Sequence, residues 1–280
     1  WNAGKITDRE FSLIENHTCA SPGACNMMGT ANTMASMVEA MGLSLPGTSM
    51  QPALGNDQLR LAKRAGSQVV NLIFKDMEFR DVVNSDSLEN GIRLALAVGG
   101  SSNMVLHALA FAHELGLDWD HSVFDDFSKS TPLLVKLKPS SSVNLLDFHL
   151  AGGVPATLKQ LLPVLHRDAY TITEKTIKEN LDGTKTGDTT IVRPFNNPID
   201  KSGGIAVLNG NLAPDGAIIK QSGVEPSMMK HSGPAKVFRS EEEVTEALLS
   251  NRVEPGDVLV IQYEGPKGSP GMRELSLPAA

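Results

Sequence analysis

A cysteine at position 25 closes a turn-rich segment, Ser21-Pro22-Gly23-Ala24-Cys25, immediately ahead of a helical pattern. A thiolate near a helix N-terminus is favoured by the positive end of the macrodipole, which suits a nucleophile or a metal ligand. The plainer reading of such a cysteine is a small buried hydrophobe. The chain has one other cysteine, Cys19, giving the spacing CxxxxxC. That is not a zinc-knuckle pair. His17 could add a third donor, but no fourth ligand lies nearby, so a self-contained zinc site is not expected.

Two further stretches hold residues of chemical interest. Gly99-Gly100-Ser101-Ser102-Asn103 is a glycine-rich turn opening onto an apolar run. Free N–H groups at such a helix start can bind a carboxylate or phosphate. Alternatively, Ser101 or Ser102 simply caps the helix. The spacing is neither a dinucleotide fingerprint nor a Walker loop. The segment from Tyr263 to Glu274, YEGPKGSPGMRE, packs charges and glycines into a loop after a strand-like run. Such loops often carry function, although an internal Glu–Arg pair in a solvated loop contributes little energy.

The elements that must position these residues follow from periodicity. Met34, Met37, Val38 and Met41 share one helical face, with Thr30 as the expected N-cap and Gly42 as the expected stop. Helices are predicted from Asp57 to Gly66, with helix or strand around Val69 to Phe74, and from Leu88 to Val98. Another follows the Gly99 turn as far as Leu115, and a broken one spans Asp147 to Leu165. Thr131 to Leu137 suits a buried strand through Leu133, Leu134, Val135 and Leu137, and the polar residues 171–190 read as an inter-domain connection. After about residue 190 the pattern changes to short strands at 205–208, 217–220, 235–238 and 258–261. A capping box, Ser240 with Glu243, opens one helix whose apolar face is Val244, Leu248 and Leu249.

Composition narrows the function classes. Hydrophobic residues make up 41% and charged residues 20%, as in a core-forming globular protein. A formal charge of −7 argues against a nucleic-acid binder that works by neutralising phosphates. No apolar run approaches the roughly 20 residues needed to cross a bilayer. Two cysteines exclude a disulfide scaffold and fit a reducing, cytoplasmic compartment. The chain opens on Trp1 and stops at Ala280, and neither end reads as a natural terminus, so an internal fragment is expected.

These stretches together resemble one family, the iron–sulfur-dependent dehydratases that include dihydroxy-acid and phosphogluconate dehydratases. The likeness lies in Gly23-Ala24-Cys25-Asn26-Met27-Met28-Gly29-Thr30-Ala31-Asn32-Thr33-Met34 with Leu43-Ser44-Leu45-Pro46-Gly47, then in Gly99 to Asn103 with His107. It continues through Leu137-Lys138-Pro139-Ser140, Ala151-Gly152-Gly153-Val154-Pro155, Gly210 to Gly216 and the loop from Tyr263 to Glu274, all in the family's order. The resemblance implies an α/β domain over residues 1–184 and a β-barrel-like domain over 185–280, both partial. It implies a [2Fe–2S] or [4Fe–4S] cluster with Cys25 as one thiolate ligand, and Mg²⁺ bound by Glu274. Ser102 and Asn103 are the implied substrate contacts. Cys19 matches no ligand position.

The implied reaction is dehydration of a 2,3-dihydroxy acid to a 2-keto acid, with branched-chain (valine and isoleucine) biosynthesis favoured over sugar acids. A degenerate, non-catalytic member is the reading from another class. The family's other cluster cysteines lie upstream and its base, a serine, lies downstream, so no catalytic base is expected within these residues and the fragment alone should be inactive. The resemblance also implies a homodimer or larger homo-oligomer. One internal departure stands out: the family's Thr-Gly-Lys-Thr reads Thr173-Glu174-Lys175-Thr176 here. A Glu at a glycine's positive φ is strained, so a different junction is expected there.

Overall fold

The structure is a computed structural model that describes residues 1, 4–18, 22–265, 275 and 278. It divides into two compact units, Ser21–Val224 and a second made of Trp1–Ala20 with Glu225–Ala280.

The larger unit is built around one helix. Its helices are α2 (Thr30–Ala40), α3 (Asn56–Phe74), α4 (Phe79–Val82), α5 (Ser85–Ala97), α6 (Met104–Glu114), α7 (Ser122–Ser130), α8 (Leu145–Leu150), α9 (Gly153–Leu161) and α10 (Ile177–Asn180). Asn84 starts α5, its Oδ1 accepting from the N–H groups of Asp86 (3.0 Å) and Ser87 (3.1 Å). The Ser87 hydroxyl accepts in return from the Asn84 N–H, which completes a reciprocal cap. Apolar residues recur all round α5, so it is buried on nearly every side. Leu88, Ile92, Ala95 and Leu96 join Met37 and Met41 of α2, Met104 and Ala108 of α6 and Phe124 of α7 in one core cluster. Leu94, Ala97 and Val98 join Phe148, Val154 and Leu161 in a second. The α2–α5 crossing is close because residue 91 is glycine: a Cβ there would stand 2.8 Å from the Cγ atoms of both Met37 and Met41.

Two sequence expectations change here. Leu133–Leu137 is buried and extended but does not join a sheet: Leu133 makes an isolated antiparallel bridge with Asp200. The N–H groups of Leu134 and Val135 both donate to the Ala97 carbonyl at the end of α5, at 2.8 and 3.0 Å. A helix end thus satisfies backbone groups that a neighbouring strand would otherwise have served. The 56–74 region is one continuous helix rather than a helix followed by an ambiguous segment. Glu174 stands at φ 62, so the turn keeps a left-handed residue although glycine is missing. That conformation costs a non-glycine residue about 1–2 kcal/mol. Its carboxylate accepts from Asn71 Nδ2 of α3 at 3.1 Å and lies 3.9 Å from Nζ of Lys75, the residue that follows α3.

The β-structure is limited. Strands β1 (Ala206–Gly210) and β2 (Ala213–Ile219) form an antiparallel hairpin with Ala206 opposite Ile219 and Gly210 opposite Ala213. In the other unit, β3 (Ala235–Phe238) and β4 (Val258–Ile261) pair in parallel, with Ala235 opposite Val258, and α11 (Glu241–Leu249) connects them. That unit also holds α1 (Asp8–Thr18). Parallel strands need such a crossover, whereas a hairpin does not. The chain is thus mixed α/β, and among the described residues the strands form two separate two-stranded sheets with no closed barrel. The cap of α11 is half of the expected box: Ser240 Oγ accepts from the Glu243 N–H (3.2 Å), while Glu243 Oε2 accepts from the Arg239 N–H. Val244 and Ala247 are its buried residues, and Leu249 is exposed. Among the described residues no helix is long and apolar enough to cross a membrane.

Candidate active site

The start of α2 is the hub of the site. Gly29 rather than Thr30 is its N-cap, and Thr30 is the first helical residue. The hydroxyl expected to cap the helix is therefore free to bind elsewhere. Thr30 Oγ1 lies 3.2 Å from Ser101 Oγ and accepts from Asn103 Nδ2 at 2.7 Å. One turn along, Thr33 Oγ1 accepts from the Ser101 N–H at 2.9 Å and donates to the Gly29 carbonyl at 2.8 Å. Neither serine caps α6 conventionally: Asn103 occupies the N-cap position in a helical conformation. Gly100 permits the approach, because a Cβ there would meet Thr33 Cγ2 at 2.7 Å and the Ala95 carbonyl at 3.0 Å.

The same helix anchors the cysteine segment. Asn32 is buried and its Nδ2 donates to the carbonyls of Cys25 (2.8 Å) and Met27 (2.9 Å). The Met28 N–H donates to the Lys138 carbonyl at 2.9 Å, and Asn26 Oδ1 accepts from the Leu145 N–H at 3.0 Å. Four points of attachment fix the backbone around position 25, yet the Cys25 side chain is exposed. Its Sγ lies 4.0 Å from the Met27 carbonyl. This is not the buried structural cysteine that was the plainer expectation. Gly29 places no side chain beside the sulfur: a Cβ there would lie 4.0 Å from it. A soft thiolate donor on an anchored loop, exposed and beside a glycine, fits one ligand of an iron–sulfur cluster. Among the described residues no group of three His, Cys, Asp or Glu could hold a metal on its own.

The structure thus brings Cys25 together with Ser101 and Asn103 through α2, while Ser102 is half-buried beside them and its carbonyl accepts from the Val105 N–H. His107 is exposed one turn into α6. Glu274 and Cys19 lie outside the described residues. Asn32 and Thr33 were quoted in the sequence only as part of a motif, and Thr30 only as a helix cap besides. Their clustering in the first turn of an otherwise apolar helix was the signal that they form contacts.

A second polar feature of α2 went unnoticed in the sequence. Glu39 is buried, and its carboxylate accepts from the N–H groups of Gly47 (2.7 Å), Thr48 (3.1 Å) and Ser49 (2.8 Å) and from Ser49 Oγ (2.6 Å). Burial pushes its carboxyl upward, and the four donors oppose that shift. It folds the segment after α2 back so that Met50 reaches the core cluster containing Met28.

Comparison with known proteins decides the family. The model for the dihydroxy-acid/6-phosphogluconate dehydratase N-terminal region matches residues 1–180, and the model for the C-terminal region matches residues 190–280. The chain belongs to the dihydroxy-acid/6-phosphogluconate dehydratase family. It is 43% identical over 282 residues to a dihydroxy-acid dehydratase of Caldicellulosiruptor saccharolyticus, covering 100% of this chain and 51% of that protein. It is 45% identical to one of Caldanaerobacter subterraneus, covering 99% of this chain and 50% of the relative. It is 46% identical to dihydroxy-acid dehydratase 1 of Methanosarcina acetivorans, covering 98% and 50%. The chain therefore spans about half the length of the curated relatives it matches.

Proposed function

We propose that the whole protein is a hydro-lyase that dehydrates a 2,3-dihydroxy carboxylic acid to a 2-keto acid, acting as a dihydroxy-acid dehydratase in branched-chain amino-acid biosynthesis. The observation that carries this reading is the exposed thiol of Cys25 on a loop anchored by the helix that also holds Ser101 and Asn103, in a chain 43–46% identical to three dihydroxy-acid dehydratases.

In this reading Cys25 supplies one thiolate to an iron–sulfur cluster, and Glu274 supplies a carboxylate to Mg²⁺. Hydroxide is a poor leaving group, and the bound metals supply Lewis acidity toward the C3 hydroxyl and the substrate carboxylate. The residues of this chain act by placement. Asn32 holds the Cys25 carbonyl and so fixes where the thiolate is presented. Thr30 and Thr33 hold the Gly99–Asn103 turn at the same helix end, which sets Ser102 and Asn103 to orient an anionic substrate. The proton from C2 is taken by a base outside these residues.

The same reading gives a two-domain chain with the boundary near residues 184/185, a barrel-like second domain completed in a protein of the relatives' full length, a cytoplasmic location and a homo-oligomer. The test is the full-length protein with Cys25→Ala, assayed for iron and sulfide content, visible absorbance and turnover. Loss of cluster iron together with turnover of a branched-chain 2,3-dihydroxy acid supports the assignment. A variant that keeps its iron, sulfide and full turnover overturns it. A wild-type protein that turns over only sugar acids moves the substrate to the other branch of the family.

A further inference from the structure

Asn32, Ser36 and Glu39 of α2 are all buried, and their spacing puts them on one face of the helix. Each has a partner outside its own turn or next to one. Asn32 holds the Cys25 and Met27 carbonyls ahead of the helix. Ser36 Oγ donates to the Asn32 carbonyl at 2.8 Å and lies 4.0 Å from Met50 Sδ. Glu39 gathers the N–H groups of Gly47, Thr48 and Ser49 after the helix. This row therefore ties the chain before α2 and the chain after it to the same face. The two segments also meet each other. Met28 and Met50 are buried in one core cluster. A Cβ at Gly23 would stand 2.9 Å from that of Ala53. Residues 50–53 thus share the core with Met28 and close on Gly23, the two residues that bracket the thiol.

We propose that Glu39 is a positioning residue for the Cys25 thiolate: by fixing the 47–49 turn it seats residues 50–53 against the cysteine loop and so sets where the cluster ligand is presented. The proposal deepens the functional reading given above and rests on it. A carboxylate is the group this turn requires. Successive backbone N–H groups in a turn form a cradle for an anion. Here three of them and the Ser49 hydroxyl converge on Glu39, and among the described residues no cation pairs with it. Gly47 stands at φ 81, which lets the turn close around the carboxylate. An amide in its place would turn its own N–H groups toward some of these donors and leave them unpaired inside the protein. The turn would then open. The hydrogen bonds described above hold the cysteine loop from Cys25 onward, and the contact of Gly23 with Ala53 backs it ahead of the thiol. Opening the 47–49 turn withdraws that backing.

The experiment uses the full-length protein with Glu39→Gln, beside Asn84→Ala as a control that destabilises α5 and touches neither segment. Glu39→Gln, loaded with its cluster under anaerobic conditions, should show an altered visible absorbance. It should release iron to a chelator about tenfold faster than wild type, the low end of the loss expected when the support of a metal ligand is removed. In the metal-free protein, hydrogen exchange of the peptide spanning residues 22–28 should quicken too. Asn84→Ala should lower the melting temperature yet match wild type in all three readouts, which separates positioning from loss of stability. Ser49→Ala removes one donor only, should move the same readouts the same way by less, and decides the matter if Glu39→Gln does not fold. Wild-type values for either iron release or exchange in the folded variant overturn the positioning role and leave the functional reading intact. A wild type that binds no iron or sulfide overturns the functional reading, and the positioning role with it.

Discussion

Helices α3 and α5 share a domain and a helical sequence pattern but differ in everything that stabilises them. α5 is capped reciprocally at Asn84 and touches both core clusters. α3 begins at Gly55 with no side-chain cap, buries no residue fully and is tied down largely through polar contacts to residues 172–174. Periodicity is therefore enough to form a helix, but it does not say how many of its sides find a partner. In α5 the apolar residues face protein all round. In α3 a second apolar side is left over.

The contrast can be broken by substitution. Leu96→Ala in α5 should lower the unfolding free energy by about 2–5 kcal/mol in urea titrations, because a fully buried side chain leaves a cavity. Leu59→Ala in α3, measured at concentrations where the protomer is alone, should change it by less than about 0.5 kcal/mol. Equal effects would show that α3 is as integral to the protomer as α5. Asn84→Ala should cost about 1 kcal/mol by the same titration, since two N–H groups at the start of α5 lose their acceptor.

The smallest effect extends the contrast to the β3–α11–β4 unit, where an ion pair is placed nearer the surface. Lys236 Nζ donates to Asp257 Oδ2 at 2.7 Å, and this bond, with the Glu254 N–H, holds the Asp257 carboxyl below the usual carboxylate range. A lowered folded-state pKa contributes stability above the unfolded value of about 3.9, and that contribution is lost as pH falls through the lowered value. Lys236→Met should therefore weaken the acid-side dependence of stability below about pH 4, read from thermal melts across pH. An unchanged pH profile would show that the pair contributes nothing.

The legible parts of the fold were those set by short-range rules. The four strand runs after residue 190 formed close to their expected bounds, and Gly42 ended α2 in a left-handed turn at φ 79. Cys25 and the Gly99–Asn103 turn stood out in the sequence as candidate segments, and the structure attaches both to the start of α2. What joins them did not stand out, because hydrogen bonds from Thr30 to Ser101 and Asn103 span more than seventy residues. Local pattern also misassigned Thr30 as the cap, since a threonine before an apolar run has that role in most helices. Here tertiary partners compete for its hydroxyl.

The sequence by itself determined the helices with clear periodicity and the short strands after residue 190, which residues carry a thiol or a flexible turn, and which family they belong to, because those depend on neighbours a few positions apart and on residue identity. Only the tertiary structure decided that Leu133–Leu137 hydrogen-bonds to a helix end instead of a sheet, that Glu39 is buried among backbone donors, and that α3 keeps an open apolar side. Each of those outcomes depends on which distant groups arrive to satisfy a backbone amide, a carboxylate or a hydrophobic surface, and no spacing along the chain records that.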